Sequence, residues 1–115
     1  MSWKLWFCAA GLAALCSCAP RDPCEDTPGN RDLAMFATEG PVKDRLRAPA
    51  TAKFPTNSQG QGAQVAKVGQ CRFLVVSHVD SQNGFGAMLR SAYSAEVTPS
   101  PSGTSTVENL TIVPN

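Results

Sequence analysis

The chain reads as an α+β domain in which one N-terminal helix packs on a four-stranded antiparallel meander. Three observations predict it. Met35, Val42 and Leu46 recur at helical spacing with Phe36 beside them, giving residues 31–47 one apolar stripe. Residues 71–79 and 85–97 alternate side chains with a period of two, the pattern of strands buried on one face. Short turn-forming stretches separate the strand-like runs, and such links join antiparallel neighbours.

The helix comes first, with Asn30 or Asp32 available to cap its start. Gly40-Pro41 interrupts the stripe, because proline removes a helical hydrogen bond and crowds the preceding turn. This predicts either a kinked helix or two pieces, the second opening with Pro41 at its first position. Pro49 marks the end, and a polar Gly/Gln-rich loop follows over 56–62. Strands are expected over 65–68 and 71–79, joined by Gly69-Gln70 as a type II′ turn with glycine first. In the longer strand Cys71, Phe73, Val75, Ser77 and Val79 share one face, and Arg72, Leu74, Val76, His78 and Asp80 the other.

Asp80-Ser81-Gln82-Asn83-Gly84 is the next expected turn. The structural role assigned to Asp80 and Asn83 there is to bond nearby backbone N–H groups, as Asx side chains do, with Gly84 closing the turn. The third strand places Phe85, Ala87, Leu89, Tyr93, Ala95 and Val97 on one face and Met88, Arg90, Ser94 and Glu96 on the other, with Gly86 marking a bulge. Residues 98–105 form a flexible loop. A last strand over 107–113 turns Leu110 and Ile112 inward.

Ahead of this domain lies an export signal. Lys4 and the free amine begin it, and residues 5–15 form an apolar run of eleven, short of the roughly 20 that a membrane-spanning helix needs. Leu15-Cys16-Ser17-Cys18 resembles the bacterial lipobox, in which an aliphatic and two small residues precede the cysteine that receives diacylglycerol. Leu15, Ser17 and Cys18 match; Cys16 stands where Ala, Ser or Thr is usual. The alternative is a plain secretory signal with incidental cysteines. Pro20 would then follow the cut, and a residue with fixed φ and no N–H suits that site badly. The expected organisation is a lipoprotein signal peptide over 1–17, lipidation at Cys18, a flexible Pro-rich tether over 18–30 and the α+β domain over 31–115. Two or three acyl chains anchor a protein stably at roughly 0.8 kcal/mol per buried methylene. Ala19 follows the lipid site, whereas Asp there retains lipoproteins in the inner membrane of two-membrane bacteria. Outer-membrane placement facing the periplasm is therefore favoured.

Of the ten basic residues only Lys4 precedes Cys18, so the mature chain carries as many basic as acidic residues. With no run of like charge, there is no footprint for nucleic acid or for a polybasic membrane patch. A mature domain of roughly 100 residues holds one modest core.

Two segments, residues 42–55 (VKDRLRAPATAKFP) and 79–93 (VDSQNGFGAMLRSAY), together resemble a group of small, mostly uncharacterised bacterial and phage proteins. In that group a helix ending in V-K-x-x-L-x-x-P-S-T-A-x-F-P precedes a strand, and V-D-x-Q-N-x-F-G-A joins two later strands. Ala50 stands here where Ser is usual, Gly40-Pro41 interrupts the helix, and relatives often carry Cys near the position of Ser94. The resemblance implies a helix-on-sheet domain and no particular activity.

Cys24 and Cys71 remain once the signal cysteines are set aside. Either they form a disulfide in an oxidising envelope, or Cys71 is a buried strand thiol and Cys24 a free one in the tether. His78 is the only histidine, and no C-x-x-C or H-x₃-H spacing gives it a metal partner. A Ser–His–Asp set drawn from His78, Asp80 and a serine lacks any nucleophile motif. Lys43, Asp44, Arg45 and Arg47 read as a solvated face. Asn109-Leu110-Thr111 matches a glycosylation acceptor that a bacterial lipoprotein does not normally use. No cofactor is implied. The expected function is therefore a non-enzymatic, lipid-anchored domain that contacts an envelope protein or a cell-wall component. The alternative is a lipid-anchored inhibitor or exclusion factor against a lytic enzyme or mobile element, and the third reading is a small hydrolase.

Overall fold

The structure, a computed structural model, describes residues 22–113. The first helix, α1, spans Pro28–Ala37 and so begins inside the stretch expected to be tether. Thr27 and Pro28 together make the start: the Thr27 hydroxyl accepts from the Asn30 N–H at 3.1 Å, and Pro28 occupies a position that needs no N–H. Asn30 and Asp32 do other work. The Asn30 amide donates to the Asp22 and Glu25 carbonyls at 3.0 and 2.8 Å, holding residues 22–27 against the helix. Asp32 accepts from the Ser58 N–H at 2.7 Å.

The helix breaks at Thr38, and α2 follows over Glu39–Lys43. The break falls one turn ahead of Gly40-Pro41 for a steric reason. A proline ring crowds the carbonyl four residues before it, here that of Ala37, and α1 ends there. Pro41 then sits in the first turn of α2, where the N–H it lacks would have had no helical partner. The new helix opens with the Val42 N–H donating to the Thr38 carbonyl at 3.0 Å. A single 3₁₀ turn over Pro49–Thr51 completes the crossing to the sheet.

Four strands follow: β1 (Gln64–Gly69), β2 (Arg72–Gln82), β3 (Met88–Thr98) and β4 (Thr106–Val113). They pair antiparallel in the order β1-β2-β3-β4, the expected meander. Phe73, Val75 and Val79 of β2 and Tyr93, Ala95 and Val97 of β3 are buried on one face, covered by Ala34, Met35 and Val42 of the helices.

The connections differ from expectation in their details. Gly69 pairs with Arg72, so the first turn is Gln70-Cys71. Gly69 does not take the positive φ that a type II′ turn requires at its first position. Instead the register slips between Lys67 and Gly69, and a bulge of this kind supplies extra local twist. Cys71 consequently lies in the turn rather than on the buried strand face. The second connection is residues 83–87. β2 runs through Asp80, because the Asp80 backbone pairs with Lys53 at 2.8 and 2.9 Å and Arg90 pairs with it across the sheet. Asp80 is therefore a strand residue and fixes no turn.

Gly86, at φ +83°, takes the left-handed position of this loop and is not a strand bulge, while Gly84 keeps an ordinary backbone. Phe85, expected to point inward, is 98% exposed because β3 begins only at Met88. In β4, Asn109 at φ +54° forms a bulge opposite Ala95, a conformation Asn tolerates better than most residues. The bulge shifts the alternation by one, so Val107 before it and Leu110 and Ile112 after it all pack against the core.

Two links tie helix to sheet. At the helix break the buried Thr38 hydroxyl donates to the Met35 carbonyl at 2.6 Å, which leaves its lone pairs for the Tyr93 hydroxyl at 2.8 Å. Phe54 meets the Tyr93 ring edge-on, with centroids 6.2 Å apart. The second link is covalent. Cys24, ahead of α1, is bonded to Cys71 in the β1–β2 turn with their Cα atoms 4.7 Å apart, a bridge across 47 residues of sequence.

Replacing Cys71 by Ser is expected to lower unfolding stability by about 4 kcal/mol on the chain-entropy model, read by urea titration of the oxidised protein. A loss under about 1 kcal/mol would mean the bridge constrains little. Thr38→Val leaves the Tyr93 hydroxyl without this partner and takes one of two donors from the Met35 carbonyl, which keeps the residue 38 N–H, at an expected cost of about 1–3 kcal/mol. Tyr93→Phe in the same background should then cost less than it does alone, as coupled groups require.

Candidate functional site

The helices cover one face of the sheet and leave the other open. On the open face Arg90 forks onto Asp80, donating to its two carboxylate oxygens at 2.8 and 3.1 Å. That hydrogen bonding holds the Asp80 carboxyl below the usual carboxylate range, against the opposing effect of partial burial. Arg72 and Glu96 face each other at 3.9 Å on the same surface. His78 stands between these pairs, half-buried, with its ring against the backbone of Gly62; a Cβ added there would lie 3.3 Å from it. Asp80 gives its oxygens to Arg90, and among the described residues no hydrogen bond joins it to His78. No group of three metal-ligating side chains occurs among the described residues.

Chemistry of another kind gathers at the end of the sheet where β2 hands over to β3. Here a cleft of about 420 Å³ opens between the segment after α2 and the sheet. Arg45, Leu46 and Arg47 form one wall; Asn83, Leu89 and Ile112 lie opposite. Arg45 is fixed by donating from Nη1 to the Leu110 carbonyl at 2.8 Å. The adjoining loop is rigid for a stated reason: Asn83 Oδ1 accepts from the N–H groups of Phe85 and Ala87 at 2.9 and 3.0 Å, and the Asn83 N–H donates to the Ala87 carbonyl at 2.9 Å. Asn83 thus has the turn role expected of it. Phe85 projects from this loop into solvent, with the half-exposed Met88 and Leu89 beside it.

Apart from Ile112, the walls of this cleft come from the two segments that the sequence singles out, residues 42–55 and 79–93. They are also joined directly, by the Lys53–Asp80 backbone pair and by the Gln82 N–H donating to Thr51 Oγ1 at 2.9 Å. Arg45 and Arg47 are exposed, as expected of a solvated face, and that reading did not foresee that they also line a cleft. The available signal was two guanidinium groups flanking Leu46, just before the helix-ending Pro49.

Cys24 and Cys71 meet at the opposite end of β2. The expected lipid site Cys18, the expected signal over 1–17 and the expected tether up to residue 21 lie outside the described residues. Among the described residues no helix is long and apolar enough to cross a membrane. The chain matches no protein-family model, no curated protein and no solved structure.

Carboxylates here act in opposite senses as pH changes. Asp32, hydrogen-bonded by Ser58, and Asp80, bonded by Arg90, titrate below the ordinary 3.8, so their stabilisation is present above that value and disappears as pH falls through their folded-state values. Glu39 is raised above 4.5 because burial outweighs the pull of Lys43; its contribution is most favourable below 4.5 and is lost as pH rises through its folded value. Glu39→Gln is therefore expected to stabilise the protein at neutral pH and to give no gain below 4.5, compared by urea titration at both values. Destabilisation at neutral pH would contradict the burial argument.

Proposed function

We propose that this protein is a lipid-anchored lipoprotein of the bacterial envelope, acylated at Cys18, whose non-enzymatic domain presents a binding cleft away from the membrane that holds it. Ala19 after the lipid site supports outer-membrane attachment facing the periplasm in a host with two membranes.

One observation carries the binding half of this reading. The Cys24–Cys71 bond ties the tether to one end of the sheet, and the cleft with Phe85 occupies the other. The six residue-to-residue steps from Cys18 to Cys24 reach at most about 20 Å, and the eleven residues of β2 span roughly 35 Å. A lipid at Cys18 would therefore keep the β1–β2 turn near the bilayer and hold the cleft outward. A rigidly displayed, fully exposed aromatic beside a concave surface suits partner contact.

Mass spectrometry of the native N-terminus tests the anchor. The expected species begins at Cys18 and carries diacylglycerol, and Cys18→Ser moves the protein from the membrane to the soluble fraction. An unacylated terminus with soluble wild-type protein overturns the proposal.

A further inference from the structure

The cleft places three demands on an occupant. It is cationic: Arg45 and Arg47 line it, no carboxylate does, and among the described residues neither arginine has an ion-pair partner. Arg45 is held by a neutral carbonyl, which fixes its direction without cancelling its charge. Across from the arginines, Leu89 and Ile112 supply apolar surface beside the polar side chains of Ser81, Asn83 and Ser91, with Leu46 between the two arginines. The volume, about 420 Å³, lies within the range of small-ligand pockets, roughly 300–1,000 Å³. An occupant must then be short and anionic, with small apolar groups between its charges.

Guanidinium forks match carboxylates in bidentate geometry. Two arginines on a neutral chain are too few to hold a duplex by counterion release. A lipid headgroup is disfavoured by position, because on the reading above the cleft faces away from the anchoring bilayer. Phe85, two residues beyond the cleft residue Asn83, adds an exposed aromatic face of the kind that packs on the apolar side of a sugar ring.

We propose that this cleft binds the free carboxylates of a short cell-wall stem peptide, with Arg45 and Arg47 as the anion-binding residues and Phe85 against the attached glycan. The inference rests on the envelope reading above and names its partner class. Stem peptides are short, carry several free carboxylates and interpose the methyl groups of alanine, which meets each demand of the cleft. Asn83 contributes by keeping the loop, and so Phe85, in one position.

The test is isothermal titration of the full mature protein in detergent with a soluble disaccharide–tetrapeptide released from the wall. The same compound with its carboxylates amidated, and anionic phospholipid vesicles, serve as comparisons. The unmodified compound is expected to bind, and amidation to weaken it at least tenfold. Arg47→Ala should weaken binding roughly tenfold to a hundredfold, with Arg47→Lys between, since lysine keeps the charge and loses the fork. Phe85→Ala should weaken the disaccharide-bearing ligand and leave the bare tetrapeptide unchanged. Arg47 and Phe85 are exposed, so unchanged circular dichroism checks that both variants fold.

Absence of binding at millimolar ligand overturns the proposal. So does binding indifferent to amidation or to Arg47→Ala, and so does a preference for the vesicles. An acylated, membrane-bound protein that ignores the wall fragment would overturn this inference alone. A soluble, unacylated protein that binds it would overturn only the anchor.

Discussion

The bond between Cys24 and Cys71 closes a loop that contains both helices, the 3₁₀ turn and β1. Within that loop lies every segment that covers the inner face of the sheet from outside it. In the unfolded chain this closure removes freedom that the small core would otherwise have to overcome by itself, and small domains often rely on such bridges. The bridge also gives the molecule a direction. It fastens the chain entering α1 to the β1–β2 turn, so whatever precedes Cys24 leaves from that end of the sheet.

Inside the closed loop, the helix break is the point where backbone chemistry and packing meet. Pro41 forces an interruption, and an interrupted helix exposes carbonyls that a buried position cannot tolerate unsatisfied. At Thr38 both the backbone N–H and the hydroxyl donate to the Met35 carbonyl, and the hydroxyl accepts from Tyr93 at the centre of β3. The break therefore serves as a fixed contact between layers. It also turns the chain so that residues 45–47 run along the end of the sheet and wall the cleft.

Much of this architecture was legible before the structure. Strict alternation in β2 identified Phe73, Val75, Ser77 and Val79 as one buried face, since a period of two admits only one assignment once a single face is covered. The helical stripe placed Met35 and Val42 in the core for a similar reason. What was not legible depended on local backbone choices that composition does not determine. Gly69-Gln70 had the composition of a primed turn, yet the slip in register before Gly69 moved the turn by one residue. Asp80 looked like a turn former, but pairing with Lys53, 27 positions earlier, kept it in the ladder. Thr27-Pro28 was hidden within a proline-rich stretch that otherwise reads as tether.

The cleft was hidden for a different reason. It is assembled from residues 45–47, from the β2–β3 hairpin and from Ile112, three stretches with no sequence relation to one another. Exposed arginines on a short helical stretch read as a solvated face, and only the fold shows that they border a cleft. The disulfide lies at the far end of β2, so the cleft and the entry of the chain into the domain are at opposite ends of the sheet.

The proposed orientation on a lipid anchor can be measured by attaching nitroxide labels at Gln70 and at Phe85 in the membrane-reconstituted protein and recording collisions with a lipid-dissolved relaxing agent. The label at Gln70 should register the bilayer and the label at Phe85 should not. Equal accessibility at the two positions, or the reverse order, would contradict the arrangement described above.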